Sequence, residues 1–198
     1  MSLYKQYGKY LSDSCFKRDL LKKLYIIDST TISLFKQILK GAGRNPKSGK
    51  KKGGIKAHTI IRADEDVPCL VKYTAAAKHD HTLLKDIKLP KGSFLTFDKV
   101  YVDYDAYENF TKNEIYYVTK QKVNAKYISE CDLDIPQNTD NGIITDKIII
   151  LNYGKNHKLI HKSRRITYWD RDNNKEIIYL TNNFELDSES IILIYKNS

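Results

Sequence analysis

The order of apolar and polar residues divides the chain into short alternating segments. Residues 4–24 mix charges and aromatics around a modest apolar stripe, which predicts a helical lead-in. Leu24 to Ile27 is an apolar run that predicts a buried strand, with Asp28 at its C-terminal end. Residues 55–77 alternate on both sides of Asp64-Glu65-Asp66, a polar turn just ahead of Pro68, and predict a hairpin. Residues 79–89 have helical spacing, with Leu83, Leu84 and Ile87 on one side, and Pro90-Lys91-Gly92 ends them. Residues 93–101 predict another buried strand, and Asp98 falls near its end. A short helix follows over 103–113 with Tyr104, Tyr107 and Phe110 inward, then a third central strand over 114–122.

From about residue 123 the character changes to strands separated by polar turns. Residues 142–151, 157–170 and 175–183 read as strands, the last two joined by a hairpin turning at Asp172-Asn173-Asn174. Residues 188–198 begin a helix capped by Ser188 or Ser190. It has barely two turns at Ser198, so the natural protein is expected to continue. A hairpin followed by strand–helix alternation predicts an α/β fold with a mixed sheet. The expected division is a core over 1–122, a β-rich insertion over 123–184 and the start of a core helix over 185–198.

Charge sharpens this picture. Thirty-four Lys and Arg face 24 acids, for a net charge of +10, and such a surplus favours a polyanionic partner, nucleic acid first. No apolar run approaches the ~20 residues of a membrane span, and the start lacks the apolar stretch of a signal peptide. Cys15, Cys69 and Cys131 form no CxxC pair, so free, buried thiols in a reducing cytoplasm are expected. Residues 41–56 hold five of the nine glycines and no acid. That segment must be a loop, and Arg44, Lys47, Lys50, Lys51, Lys52 and Lys56 make it a candidate grip on DNA phosphates.

The candidate chemistry rests on Asp28 and Asp98. Ligands of mixed α/β sheets gather outside the carboxyl ends of strands. If the two strands are neighbours, the two carboxylates share one crevice, where they repel unless a divalent ion joins them. Mg²⁺ is a hard ion that accepts carboxylate oxygen, and two such ions about 4 Å apart can activate a water and steady the leaving oxygen of a phosphodiester. An aspartate after a strand is, however, most often a turn or cap residue. Lys56 and His58 alternate on one strand and face one side, which is expected to be the side of the acids if that strand pairs with Asp28's. In the insertion, Arg164, Arg165 and Trp169 can grip DNA, with the tryptophan stacking on an extruded base. Its apolar neighbours favour packing in the insertion's own core instead. Asp170 and Asp172 read as a hairpin turn rather than a calcium loop.

Five stretches taken together resemble the insertion sequence four group of DDE transposases. YIIDSTTISL (25–34) resembles the first-acid motif and KKGGIKAHTII (51–61) the lysine–glycine–x–x–lysine–x–histidine strand. AAAKHDHTLL (75–84) resembles a histidine–aspartate turn, for which a helix cap at His79-Asp80 is the plainer reading. SFLTFDKVYVDYDAYENF (93–110) resembles the second-acid motif, and IYLTNNFELDSESIILIYKN (178–197) the approach to the third. Several motifs in order are more specific than one.

The resemblance implies a ribonuclease H-like fold with a β-rich insertion. It implies Mg²⁺ or Mn²⁺ on Asp28 and Asp98, double-stranded DNA (transposon ends and target) as partner, and action as a homodimer near the bacterial nucleoid. Tyr195 matches the tyrosine of the third motif, whose arginine would fall at Ser198 and whose glutamate would lie beyond it. Lys99 stands where the family has arginine, and Val100 where it has a small residue. The expected activity is cleavage and strand transfer, with this chain by itself inactive or nearly so. A non-catalytic DNA-binding remnant and a nuclease without strand transfer are the alternatives.

Overall fold

The computed structural model describes residues 19–33, 54–65, 67–76, 78–121, 125–135, 142–153 and 159–197. The strands are β1 (Leu24–Ser33), β2 (Gly54–Arg62), β3 (Val67–Ala75), β4 (Phe94–Phe97), β5 (Tyr116–Lys120), β6 (Ile128–Asp132), β7 (Ile143–Tyr153), β8 (Leu159–Asp170) and β9 (Lys175–Thr181). Among the described residues, helical turns cover 19–22, and the longer α-helices are α1 (Tyr104–Lys112) and α2 (Ser188–Lys196). Among the described residues nine strands join one sheet in the order β3-β2-β1-β4-β5-β9-β8-β7-β6.

β1, β4 and β5 run parallel at the centre, and β2 and β3 fold back antiparallel from β1. The strands after residue 123 do not stand apart from this sheet. β9 pairs antiparallel with β5 from Val118↔Thr181 to Lys120↔Tyr179, and the meander continues through β8 and β7 to β6. Asn182 extends that junction beyond the short ladder. Its side chain accepts from Tyr117 N (2.8 Å) and donates to Ile115 O (2.9 Å) and Thr111 Oγ1 (2.9 Å). The expected mixed α/β architecture is therefore present.

The sheet has a core on each face. One gathers Ile27, Ile60, Leu95, Phe97, Tyr101 and Tyr117 with Tyr107 and Phe110 of α1. The other gathers Leu24, Phe94, Val118, Ile166 and Tyr179 with Ile191, Ile192 and Ile194 of α2. Alternation along each strand sends neighbouring residues to opposite cores. Thus Leu24 and Ile26 face α2, whereas Tyr25 and Ile27 face α1.

Several local expectations are corrected. β1 does not end at Ile27 but continues through Ser33, because Thr30, Thr31 and Ile32 are β-branched and pair with β2. The helix expected over 79–89 is a 3₁₀ helix, Asp80–Asp86, which still buries Leu83 and Leu84. His79 holds its N-cap position without a side-chain cap bond. The cap of α2 is Asp187, not Ser188 or Ser190, and its carboxylate accepts from Ser190 N at 2.8 Å. β6 was not anticipated. Cys69 and Cys131 are free thiols, but exposed rather than buried. Trp169 is also exposed (38%), so it does not pack into a core of the inserted strands. The β8–β9 turn falls at 171–174 as expected, with Asn174 in the left-handed region (φ 48°), which asparagine tolerates. Gly142 opens β7 at φ +75°, where a Cβ would meet Trp169 O at 2.7 Å, so only glycine fits.

Candidate active site

The register of the parallel strands brings the two acids together. Leu24 pairs with Phe94, Tyr25 with Leu95 and Ile26 with Thr96, a constant offset equal to the gap between Asp28 and Asp98. Continued two steps past its last pair, that register would set Asp28 beside Asp98, on strands spaced about 4.8 Å apart. Asp98 follows β4 directly, whereas Asp28 lies within β1 at the point where that strand outruns β4. Parity sends Asp28 to the face of Leu24 and Ile26, and Asp98 to the face of Phe94 and Thr96, which is the α2 side. Both are exposed, and among the described residues neither forms an ion pair. Asp98 also caps the short 3₁₀ turn Lys99–Tyr101 by accepting from Lys99 N at 2.7 Å.

Tyr195 reaches the same place from α2. Burial pushes its hydroxyl up to about 12, and the nearby Asp98 carboxylate adds to the shift. Tyr101 approaches from the other side of the acids. Its hydroxyl is also pushed up to about 12, mainly by burial, with Asp80, Asp28 and Asp98 raising it and a Ser29 hydrogen bond opposing them. Both hydroxyls therefore keep their protons at neutral pH and can donate.

Lys56 and His58 do not face Asp28. Asp28 pairs across β1–β2 with Thr59, whereas His58 pairs with Ser29 and Lys56 with Thr31, so both point to the α1 side of the sheet. There Lys56 Nζ binds Asp80 at 2.9 and 3.0 Å. His58 is buried, with Nδ1 3.3 Å from Tyr101 Oη and Nε2 2.8 Å from Thr74 Oγ1. Burial lowers its pKa against the pull of Asp80. His58 thus touches the acid site only through Tyr101.

Lys99 is exposed beside Asp98, and Val100 points to solvent, so it crowds nothing at the turn. Arg164 is buried and fully engaged. It grips Asp146 at 2.9 and 2.6 Å and donates to Leu186 O, while Ser188 Oγ donates to Asp146 at 2.7 Å. That chain of bonds fastens β7 and β8 to the start of α2 and leaves the Arg164 guanidinium nothing to offer DNA. Arg165 is half-buried, bonded to Gln121 Oε1 (2.9 Å) and Thr167 Oγ1 (2.8 Å), and lies 5.1 Å from the Tyr127 ring centroid. Arg44, Lys47, Lys50, Lys51 and Lys52 lie outside the described residues. Sequence reasoning overlooked Tyr101 as a site residue, although it stands three positions after Asp98 in the quoted motif.

As donors, two adjacent exposed carboxylates suit a hard divalent ion and offer nothing to soft metals. Among the described residues no set of three or more His, Cys, Asp or Glu side chains is arranged to hold a metal.

The mixed sheet and the two acids at its parallel centre define a ribonuclease H-like α/β domain. The chain belongs to the transposase DDE domain family, which it matches over residues 19–197. It is 28% identical over 182 residues to the Sinorhizobium fredii (strain NBRC 101917 / NGR234) protein named "Putative transposase y4zB", an alignment covering 91% of this chain and 49% of that protein. It thus spans about half the length of that curated relative. Its fold is similar to that of piggyBac transposase, solved by cryo-EM as a synaptic complex with hairpin DNA, with a TM-score of 0.52 at 10% identity over 88% of this chain and 37% of that one. Domains of this family generally use divalent metal ions. Among the described residues no helix is long and apolar enough to cross a membrane.

Proposed function

We propose that this chain is the catalytic domain of a transposase that cuts DNA at insertion-sequence ends and joins the 3′-hydroxyl to target DNA. The observation that supports the reading is the register of β1 and β4, paired from Leu24↔Phe94 to Ile26↔Thr96, whose continuation would align Asp28 with Asp98 on one face. These two carboxylates would hold Mg²⁺ or Mn²⁺. When bound, such an ion stabilises charge on a reacting phosphate as a Lewis acid. Tyr195 and Tyr101 flank the acids as protonated donors, able to orient a phosphate oxygen or the carboxylates.

DNA would lie along the exposed carboxyl ends of β1 and β4. Lys99 stands beside that track, and the basic segment holding Arg44, Lys47, Lys50, Lys51 and Lys52 contributes to the overall positive field. Exposed Trp169 can stack on an unpaired base. Arg164, Lys56 and His58 are left out of the DNA-contacting set, because their polar atoms are engaged within the fold. The division into core, insertion over 123–184 and helix start belongs to this proposal, as does pairing of two copies on two DNA ends. Among the described residues the site would hold two acids, and with these two alone the chain is expected to cut DNA slowly or not at all.

The test is Mn²⁺ binding by electron paramagnetic resonance, on the chain and on Asp28→Asn and Asp98→Asn. Each variant should lose most of the Mn²⁺ affinity while still binding DNA. Unchanged Mn²⁺ uptake in both variants would sink the reading.

A further inference from the structure

The line of the two acids does not stop at β4. β4 and β5 pair in parallel from Phe94↔Tyr116 to Phe97↔Thr119, and the next pair along that register is Asp98 and Lys120. Carried past their last pairs, Phe97↔Thr119 and Ile26↔Thr96, the two registers would set Asp28, Asp98 and Lys120 in one row across three parallel strands. Lys120 closes β5 and shares the face of Val118 and Tyr116, which is the α2 face of both acids.

The Lys120 side chain has little to do within the fold. Among the described residues it forms no ion pair and no side-chain hydrogen bond. Its Nζ lies 4.7 Å from the centroid of the Tyr195 ring, and that ring packs against Tyr179. Other lysines of the sheet are spent on carboxylates, as Lys56 is on Asp80 and Lys147 on Asp132. A lysine held on a tyrosine face keeps its charge and at least two N–H donors for a ligand. The aromatic shelf also limits the rotamer freedom that the side chain would otherwise lose on binding.

A cation one strand away from two carboxylates has one natural ligand in such a place. The carboxylates repel a bare phosphodiester, so a phosphate that enters beside them needs a positive group on its far side. A compact ammonium does this without demanding a particular approach geometry. We infer that Lys120, seated on the Tyr195 ring, is a phosphate-binding residue that holds the DNA backbone against the Asp28–Asp98 pair. This rests on the DNA-cutting reading above and adds to it a contact that the family-like motifs do not mark. Lys120 touches the substrate, whereas Tyr195 acts on this contact by supporting it.

The experiment uses the whole chain and a short fluorescein-labelled duplex of mixed sequence, in Ca²⁺. Two measurements are made. The first is amine acylation read by mass spectrometry, with and without duplex. Lys120 should be protected by DNA. Lys91, which pairs with Glu114 at the opposite end of these strands, should not be. The second is duplex affinity by anisotropy across a salt series. Lys120→Gln should weaken binding severalfold and reduce the slope of log affinity against log salt by about 0.9, one phosphate contact's worth. Lys120→Arg should restore both, and the urea midpoints of both variants should match the parent chain. Wild-type DNA binding with Lys120 as reactive as before, or a Lys120→Gln slope equal to wild type, would overturn the inference and leave the DNA reading standing. No duplex binding by the wild-type chain would overturn both.

Discussion

Two aspartates of this chain stand in opposite conditions. Asp146 is 2% exposed, clamped by both ends of the Arg164 guanidinium and by the Ser188 hydroxyl. Asp98 is exposed beside another carboxylate, with its own next backbone N–H as its recorded donor and no cation within ion-pair reach among the described residues. The first is a closed account of charge and hydrogen bonds, so it serves stability. The second is an open one, kept tolerable by water and ready for an outside cation. Residue type does not separate the two; surroundings do.

The largest effect should come from opening the closed site. Asp146→Ala leaves a buried guanidinium without its counter-charge and is expected to cost about 3–5 kcal/mol in urea unfolding. Combining Asp146→Leu with Arg164→Met should recover most of that loss, because the charge and its partner leave together. If the single variant unfolds like wild type, the pair does not fasten β7 and β8 to α2.

Next in size is the buried polar chain on the α1 side. Tyr117 Oη lies 2.9 Å from His161 Nε2 and 2.7 Å from Ser163 Oγ, and His161 Nδ1 is 2.9 Å from Glu108 Oε2. All three bonds of this relay join β5 and α1 to β8. Tyr117→Phe keeps the ring but orphans two buried groups, so about 1–3 kcal/mol should be lost.

The same cluster gives a smaller, pH-dependent term. Burial lowers the pKa of His161 below its usual 6.5, opposed by Glu108. The unfolded chain therefore takes up the proton first as pH falls. The stability that His161 contributes is complete above about pH 6.5 and is lost as the pH drops from there through the folded value. His58 is shifted the same way and adds to the trend. Urea midpoints should fall from pH 7.5 to 5.5 by less in His161→Gln than in wild type. An equal fall would show that His161 is not held neutral.

How far the sequence disclosed all this depends on the range of the forces involved. Apolar runs revealed β1, β4 and β5, because each buries two faces and leaves a continuous signature. β6 left none, since all five of its residues are exposed and no buried face patterns them. Asp28 and Asp98 were legible because both follow apolar runs and match motifs. Their adjacency was not, since nothing local states that β1 and β4 are neighbours. Lys56 and His58 were assigned to the wrong face because a single step of register exchanges the two faces, and Thr59, not His58, fell opposite Asp28. Arg164 looked like a DNA contact because its partner Asp146 is 18 positions away on another strand. Charged side chains are free or spent according to non-local pairing, which a linear pattern does not carry.

The smallest expected change in stability is the most telling. Asp28→Asn and Asp98→Asn each remove one of two neighbouring negative charges, and neither breaks an ion pair among the described residues. Asparagine keeps the size of the side chain and its carbonyl oxygen. At position 98 that oxygen can still accept from Lys99 N and cap the turn. Relief of repulsion between the two carboxylates acts in the stabilising direction, and loss of a charge-assisted cap acts against it at position 98 only. Urea midpoints of both variants should therefore match wild type, with Asp28→Asn the higher of the two. Metal uptake should fall sharply in both. Should either substitution unfold the chain as Asp146→Ala does, that acid belongs with the closed site, and the contrast between the two aspartates fails.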